Sequence, residues 1–488
     1  VRRLAALSVA LVALALPATA AARPPVVVLV LDEFPTDSLL RPDGHIDRAR
    51  YPGFARLAAH STWFPNATTV ADSTTRAMPA ILDGRMPRRG VPPTAAGHPH
   101  SLFTLLARHG YRVRSNEDVT SVCPRRLCRE PRFDWQRVFT RLFSGRVERL
   151  EATIAGVGGP GPPTFSFHHA LLPHMPWSYL PSGRSYRGDE DPFKKGVSSP
   201  RGFDDPFLTE QNRQRHVLQV GLVDREIGRL LDRLEATGRL DRALVVVTAD
   251  HGMSFDLGVR DRRAVSERNV DEIAPVPLFV KRPGQRSGRK SRSWVRTVDV
   301  VPTIAALVHL RLPWRVAGRS VFRHRRSPRV LRMPARDLRG QVSIGVRSLE
   351  RRRRANLRLK ARLFGVGRDS LYRIGPHPEL IGRPVDPAAL LASPLHAETG
   401  DRRPSFDPGS GFVPSWISGR VVGGAAGRRH DLAVAVDRRI AAVARSFRLR
   451  GSSQERFSAL LPEDSLHPGP NSIEILELRD GRLLRMDA

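Results

Sequence analysis

Two acidic residues stand where two apolar runs stop. Asp32-Glu33 follows Val-Val-Val-Leu-Val-Leu at 26–31, and Asp250-His251-Gly252 follows Ala-Leu-Val-Val-Val-Thr-Ala at 243–249. If both runs are buried strands, both acids emerge at carboxyl ends, where open α/β sheets collect their ligands. Two carboxylates and an imidazole meeting there suit a divalent cation that accepts nitrogen as well as oxygen. Singly, each acid reads equally well as a helix cap. Between them lies Ser73-Thr74-Thr75-Arg76-Ala77-Met78-Pro79-Ala80-Ile81-Leu82-Asp83-Gly84, hydroxyls leading into an apolar helical turn. N-capping by Ser73 or Thr74 would account for them. The same geometry sets a hydroxyl at a helix N-terminus, where a nearby cation eases its deprotonation and a bound anion faces it. Arg76 could clamp that anion, or simply stand exposed on the helix. A further stretch, Phe167-His168-His169-Ala170-Leu171-Leu172-Pro173-His174, carries three imidazoles. Strand alternation sends His168 and His169 to opposite faces, so at most one of them reaches the site directly. An imidazole beside a phosphate can stabilise charge or protonate a leaving oxygen, the ordinary alternative being a structural histidine.

The elements that must position these groups are legible as patterns. The runs at 26–31 and 243–248 are continuous and apolar, as strands buried on both faces of a parallel sheet are. Residues 164–172 and 276–280 read as further strands. Helices are expected over 52–60, over 102–109 with Gly110 as its stop, and over 299–307 with Pro302 in the first turn. A long one over 208–237 sets Val220, Val223, Ile227, Leu230 and Leu234 on one face. Strands alternating with helices predict an α/β fold, a mostly parallel sheet flanked by helices.

Beyond residue 320 the character changes. Arg351 to Arg354 form a run of four in a segment that also holds Arg347, Arg358, Lys360 and Arg362. It reads as a solvated helix face or as a patch for an anionic surface. Residues 390–411, rich in Pro, Gly, Ser and Asp, read as a linker, and 412–488 as a small all-β domain, a sandwich. At the other end, Val1-Arg2-Arg3, an apolar run over 4–16 and small residues over 17–22 make a secretory signal peptide. The run falls short of the ~20 residues a membrane span needs, an uncleaved N-terminal anchor being the alternative. The chain is therefore expected to be exported, to the extracellular space, the cell wall or the outer face of the membrane. Cys123 and Cys128 are expected to form a disulfide there.

Composition narrows the partners. The 488 residues carry 80 Lys+Arg against 48 Asp+Glu, a formal charge of +32. Five of the 80 are lysines, so the excess is an arginine bias rather than a nucleic-acid signature, and at 6% aromatics are too few for base-stacking platforms. A polyanionic neighbourhood, a membrane surface or phosphate-bearing wall polymer, fits the charge.

In chain order, the strand ending at Asp32, the Thr74 hydroxyl, His169 with His174, and Val247-Thr248-Ala249-Asp250-His251-Gly252 resemble the alkaline phosphatase/sulfatase superfamily. Leu102-Phe103-Thr104-Leu105-Leu106-Ala107-Arg108-His109-Gly110-Tyr111-Arg112, Val276-Pro277-Leu278-Phe279-Val280-Lys281-Arg282-Pro283-Gly284 and Val298-Asp299-Val300-Val301-Pro302-Thr303 support the likeness, and Ala317-Gly318-Arg319-Ser320 echoes it. The resemblance implies a catalytic domain over 24–325, followed by a basic connecting segment and linker over 326–411. It implies a nucleophile ten residues before Gly84, which is Thr74, with Thr75 as runner-up. Sulfatases that make formylglycine have Cys or Ser there followed by x-Pro-x-Arg, and Thr74-Thr75-Arg76-Ala77-Met78 departs from that pattern. The family reading then favours phosphoryl transfer through a phosphothreonine over sulfate-ester cleavage. Asp-His-Gly in place of Asp-Asn-Gly points to manganese or zinc rather than calcium. No Asp between Thr74 and Asp250 has a His four residues on, so the chain resembles the single-metal branch that includes lipoteichoic acid synthase. In that branch Asp32, Thr74, Asp250 and His251 would be the metal ligands, Glu33 a further one, and His169 and His174 would face the phosphate. The resulting expectation is an exported, metal-dependent hydrolase or transferase acting on phosphate esters, with a wall polymer or lipid headgroup as substrate and no nucleic acid. The alternatives are a sulfuric ester hydrolase and a catalytically inactive wall- or glycan-binding protein.

Overall fold

Val26–Leu31 buries all six of its side chains, which requires a neighbouring strand on each edge and a packed layer on each face. The computed structural model describes residues 23–128, 132–159, 161–186, 203–324, 326–425 and 427–487; the expected signal segment, 1–22, lies outside them. The core sheet has seven strands: β1 Val26–Leu31, β2 Thr62–Trp63, β3 Arg112–Glu117, β4 Thr164–Ala170, β5 Leu244–Ala249, β6 Leu278–Lys281 and β7 Arg289–Lys290. Their spatial order is β3-β4-β1-β5-β6-β2-β7. The first four run parallel, and β6 is antiparallel to both its neighbours.

The helices that matter for the site are α1 Pro52–His60, α2 Thr74–Asp83, α3 Leu102–Arg108, α4 Pro206–Ala236, α5 Val300–Leu307 and α6 Val346–Phe364. Strand alternation divides them into two layers. Val26, Val28 and Val30 pack with Met78 and Ile81 of α2, Phe103 of α3 and Ile304 of α5. Val27, Leu29 and Leu31 pack instead with Phe54 and Leu57 of α1 and Val223, Ile227 and Leu230 of α4. Each such fully buried Val, Leu or Ile contributes roughly 1.5–3 kcal/mol, so the sheet and its two helical layers form the main hydrophobic core. Gly84 closes α2 in the left-handed region at φ 72°, where an added Cβ would lie 2.9 Å from Val316. The Cys123–Cys128 disulfide is formed. Among the described residues no helix is long and apolar enough to cross a membrane.

The basic run is helical: α6 buries Leu349, Arg353, Leu357, Lys360 and Phe364 against the core. The stretch 390–411, expected as a linker, instead opens the C-terminal sheet with β8, Leu391–Thr399. Ser393, Leu395 and Ala397 alternate inward there, a period of two that the surrounding Pro, Ser and Gly conceal. The remaining strands are β9 Trp416–Val422, β10 Asp431–Val436, β11 Arg439–Arg445, β12 Phe447–Arg448, β13 Glu455–Leu460, β14 Ile473–Arg479 and β15 Arg482–Asp487. They form one sheet in the order β11-β10-β14-β15-β8-β9-β13-β12, antiparallel except where β8 meets β15. The sheet curls so that β11 approaches β13, and a separate two-stranded ladder, Ser405–Phe406 with Gly469–Pro470, accompanies it. It docks on α4 through Gln211, whose Nε2 donates to the Ser458 carbonyl at 3.0 Å, and through Arg215, which stacks 4.7 Å over Trp416.

Candidate active site

Register brings the chemistry together. Val30 stands opposite His169 on β4 and Thr248 on β5, and Leu31 opposite Ala170 and Ala249. Three adjacent strands therefore end at one level, and Asp32 and Asp250 emerge side by side with His169 just below them. The backbone fixes the exits: Asp32 N–H donates to the Leu172 carbonyl at 2.9 Å, and Phe34 N–H to the His251 carbonyl at 2.8 Å. Between these bonds Glu33 is held at φ 57°, a left-handed conformation that costs a non-glycine residue of order 1 kcal/mol or more. Gly252 is needed for a different reason. A Cβ there would sit 2.1 Å from the Glu272 carbonyl oxygen.

Thr74 is the first residue of α2, after an extended Ser73 whose side chain makes no capping bond. Its Oγ1 lies 3.5 Å from Asp32 Oδ2 and 3.5 Å from His251 Nε2. His251 turns Nδ1 to the Gly252 carbonyl at 2.8 Å, which leaves Nε2 facing Asp250 Oδ2 at 3.4 Å. His169 Nε2 is 3.7 Å from Asp32 Oδ2 and 4.0 Å from Asp250 Oδ2. His168 leaves on the opposite face, its Nδ1 2.7 Å from the Thr153 hydroxyl, as strand alternation requires.

The charges do not balance on the described residues alone. Asp32 Oδ1, Asp250 Oδ2 and both nitrogens of His169 are buried with no hydrogen-bond partner among the described residues. Burial, then Asp250, then Glu33 push the Asp32 carboxyl well above the usual carboxylate range. Burial lowers His169 to about 4, against the opposing pull of Asp250, so its ring is neutral near pH 7. Orphaned buried acceptors carry a desolvation cost unless something satisfies them. Asp32, Asp250 and His251 each offer a ligand atom within 4.8 Å of the others. Two carboxylates, an imidazole nitrogen and the Thr74 hydroxyl are a donor set that a divalent cation satisfies.

A second cluster adjoins the first. Arg262 donates to Glu33 from Nε at 2.9 Å and from Nη2 at 2.7 Å, and His174 Nε2 lies 3.2 Å from Glu33 Oε1. Burial raises the Glu33 carboxyl, but Arg262, His174 and Arg263 together hold it well below its ordinary range. Glu33, Asp32 and His174 also fall within 4.8 Å of one another. With Arg262 on both its oxygens, Glu33 is an ion-pair partner before it is a ligand. Burial lowers His174 to about 3 despite Glu33, so it too is neutral near pH 7. The structure thus separates the two histidines: His169 sits with the carboxylate pair and His174 with the Glu33–Arg262 pair. Arg76 joins neither. Its guanidinium donates to the Arg336 carbonyl, and Arg336 in turn pairs with Asp72 and Asp261.

Arg262 and Arg263 escaped the sequence reading. Arg263 Nε is buried with no hydrogen-bond partner among the described residues, 3.7 Å from Glu33 Oε1, and the side chain is one-third exposed, at 34%. The same nitrogen lies 3.7 Å from Asp261 Oδ1. The signal was a doublet a dozen residues after His251, hidden among the many arginines of this chain.

A family model described as Sulfatase matches residues 24–310, a span that contains every residue of both clusters. The chain is 26% identical over 113 residues to the ulvan-active sulfatase of Formosa agariphila, covering 22% of each. It is 31% identical over 114 residues to the N-acetylglucosamine-6-O-sulfatase of Bacteroides thetaiotaomicron, covering 23% of this chain and 20% of that one. It spans about a fifth of the length of these curated relatives. Among solved structures it is similar to the phosphonate monoester hydrolase of Agrobacterium radiobacter, with a TM-score of 0.45 and 16% identity over 61% of this chain and 76% of that one.

Proposed function

The chain belongs to the sulfatase family, and from that premise we propose that it is a metal-dependent hydrolase of phosphate esters with Thr74 as the attacking group. The observation that carries this reading is the hydroxyl at the start of α2, 3.5 Å from both Asp32 Oδ2 and His251 Nε2. A single divalent cation held by Asp32, Thr74, Asp250 and His251 would lower the hydroxyl's pKa and polarise the phosphoryl oxygens. The nitrogen donor of His251 favours manganese or zinc over calcium, which prefers all-oxygen sites.

The chain's own residues then divide the work. Thr74 Oγ attacks phosphorus, the ester's alcohol departs, and water releases phosphate from Thr74. Arg263 supplies positive charge toward the transferred group's oxygens, where positioning and charge neutralisation supply most of the catalysis. Arg262 neutralises Glu33 so that this buried acid does not repel the substrate. His169, neutral near pH 7, is free to hydrogen-bond without adding charge beside Asp32. The substrate class is an anionic phosphate ester on a wall polymer or lipid headgroup, met outside the cytoplasm. The segment 1–22 and the Cys123–Cys128 disulfide support that location.

Sulfuric ester hydrolysis is the second reading, favoured by the names of both curated relatives. Its usual nucleophile is an aldehyde hydrate whose second hydroxyl expels sulfate, and Thr74 has no such group. A binding protein without catalysis is the weakest of the three, because Asp32, Thr74, Asp250 and His251 are all in place. The deciding experiment compares kcat/KM of the wild-type chain on an aryl phosphate monoester, an aryl phosphate diester and an aryl sulfate. A phosphate substrate turned over at least tenfold better supports the proposal. A preference for the sulfate transfers the function to the second reading.

A further inference from the structure

The helix α6 sorts its eight cations into two sets. Three serve the fold. Arg353 donates to Asp37 Oδ1 from Nε at 3.0 Å and Nη2 at 2.7 Å, Lys360 donates to the Asp37 and Ser38 carbonyls at 2.6 and 3.0 Å, and Arg352 pairs with Asp271 at 3.5 Å. The other five, Arg347, Arg351, Arg354, Arg358 and Arg362, are exposed. Their spacing of four, three, four and four residues places them within an arc of about 80° and along about 22 Å of helix. No other residue of α6 falls in that arc. Arg351 donates to the Ser348 hydroxyl at 2.9 Å. Among the described residues none of the five forms an ion pair, the ion pairs of this helix being those of Arg352 and Arg353.

Neighbouring like charges three and four residues apart destabilise a helix, and a merely solvated face mixes signs. Here Glu350 is the one acid on the helix, and it stands outside the arc. Among the described residues the row is therefore not matched by ion pairs from the rest of the fold. It is also rigidly mounted. Asp37 and Ser38 follow Asp32 by a few residues, and Asn356 donates to Asp271 at 2.9 Å in the short helix Val270–Ile273, whose Ile273 carbonyl accepts from Gly252 N–H at 2.9 Å. Both strand exits of the candidate site are thus tied to α6.

We infer that the outer face of α6 binds a linear anionic polymer bearing repeated phosphate or sulfate esters. A row of five cations over about 22 Å addresses several oxyanions at once, as a backbone-tracking surface does, rather than one small ion. A lipid surface fits less well. Helices that lie on membranes bury an apolar face in the lipid, and the apolar face of α6, Leu349, Leu357 and Phe364, is already buried in the core. The inference does not depend on Thr74 chemistry.

The test measures binding of the full chain to size-defined heparin and to long-chain polyphosphate across a series of salt concentrations. The variant R347Q/R351Q/R354Q/R358Q/R362Q should bind at least 30-fold more weakly, and the slope of log K against log salt should fall by about 3 or more. R351Q/R358Q should lose an intermediate share. A control with the same charge change elsewhere, R125Q/R126Q/R339Q/R403Q/R438Q, should keep most of the slope. Thermal melts establish that each variant is folded, and Thr74→Ala should bind as the wild type does. Loss with heparin alone assigns a sulfate-bearing chain, and loss with polyphosphate alone a phosphate-bearing one. Equal loss in the control, or unchanged binding in the five-fold variant, overturns the inference. So does binding to phosphatidylglycerol vesicles that is lost in the five-fold variant with no effect on either polymer, which would make the partner a membrane.

Discussion

Glu33 and Arg262, 229 residues apart in the chain, meet in a buried two-point ion pair with N–O distances of 2.9 and 2.7 Å. The pair decides which acids are left for a cation. Glu33 stands next to Asp32 in sequence, yet its charge is already matched, whereas among the described residues neither Asp32 nor Asp250 has an arginine in a two-point pair. Removing Arg262 should therefore act first on stability. Leaving a buried carboxylate without its partner costs about 3–5 kcal/mol; with His174 and Arg263 still beside Glu33, Arg262→Ala should lower the urea midpoint by an amount at the low end of that range. Adding Glu33→Gln to that variant should recover part of the loss. If Arg262→Ala is as stable as the wild type, the pair is not the buried lock described.

Metal binding is expected at one divalent ion per chain. Elemental analysis of the purified protein should find manganese or zinc near unit stoichiometry, and Asp250→Asn and His251→Ala should each abolish it. Chelation should lower Tm, because a ligand that binds only the folded state stabilises it by mass action. Two ions per chain, or none in protein refolded with metal, would contradict the donor set of Asp32, Thr74, Asp250 and His251.

Gly252 admits no side chain. With the Glu272 carbonyl 2.1 Å from an added Cβ, Gly252→Ala must displace either the Asp250-His251 turn or the Val270–Ile273 helix. The expected cost is about 3 kcal/mol of unfolding free energy, at the upper end for overpacking, together with weaker metal retention. Wild-type stability and metal content would show that the contact relaxes freely.

The catalytic half of this architecture was legible because its signals are local. Short, β-branched, almost wholly apolar runs such as Val26–Leu31 and Leu244–Ala249 read as strands buried on both faces, and an acid directly after each stands at the carboxyl end of the sheet. The family likeness directed attention to Thr74, ten residues before Gly84, and alternation was enough to divide His168 from His169. What stayed hidden depends on long-range pairing. Arg262 is one arginine among dozens until β1 brings Glu33 against it. Arg76 was read toward the substrate because nothing local reveals that its guanidinium turns to the Arg336 carbonyl. The strand Leu391–Thr399 carries Pro394 and short polar residues, and its inward alternation has meaning only once β9 and β15 flank it.

Lys360 gives the molecule a pH-dependent stability outside the site. Burial lowers its ammonium from 10.5 to about 7, although Asp37 pulls the other way. Between those values the unfolded chain binds the proton that the folded chain releases, so stability rises with pH across that window. Below it a charged lysine must be buried at full cost. The difference in unfolding free energy between wild type and Lys360→Met should therefore grow in favour of the wild type as pH is raised from about 7 toward 10. A difference that is flat in pH would mean that Lys360 stays charged throughout, held by the Asp37 and Ser38 carbonyls.

The central claim is that Thr74 is the group that attacks phosphorus, and the most direct measurement is the activity of Thr74→Ala beside that of Thr75→Ala on the preferred aryl phosphate. Thr74→Ala removes the attacking oxygen and one metal donor together, so kcat should fall by about a thousandfold or more, equivalent to several kcal/mol of barrier. Thr75→Ala should stay within about tenfold of the wild type, since the hydroxyl hydrogen-bonded to Asp32 and His251 is that of Thr74. If Thr74→Ala keeps near-normal turnover while Thr75→Ala loses it, the nucleophile is the neighbouring residue and the account of the site fails at its first step.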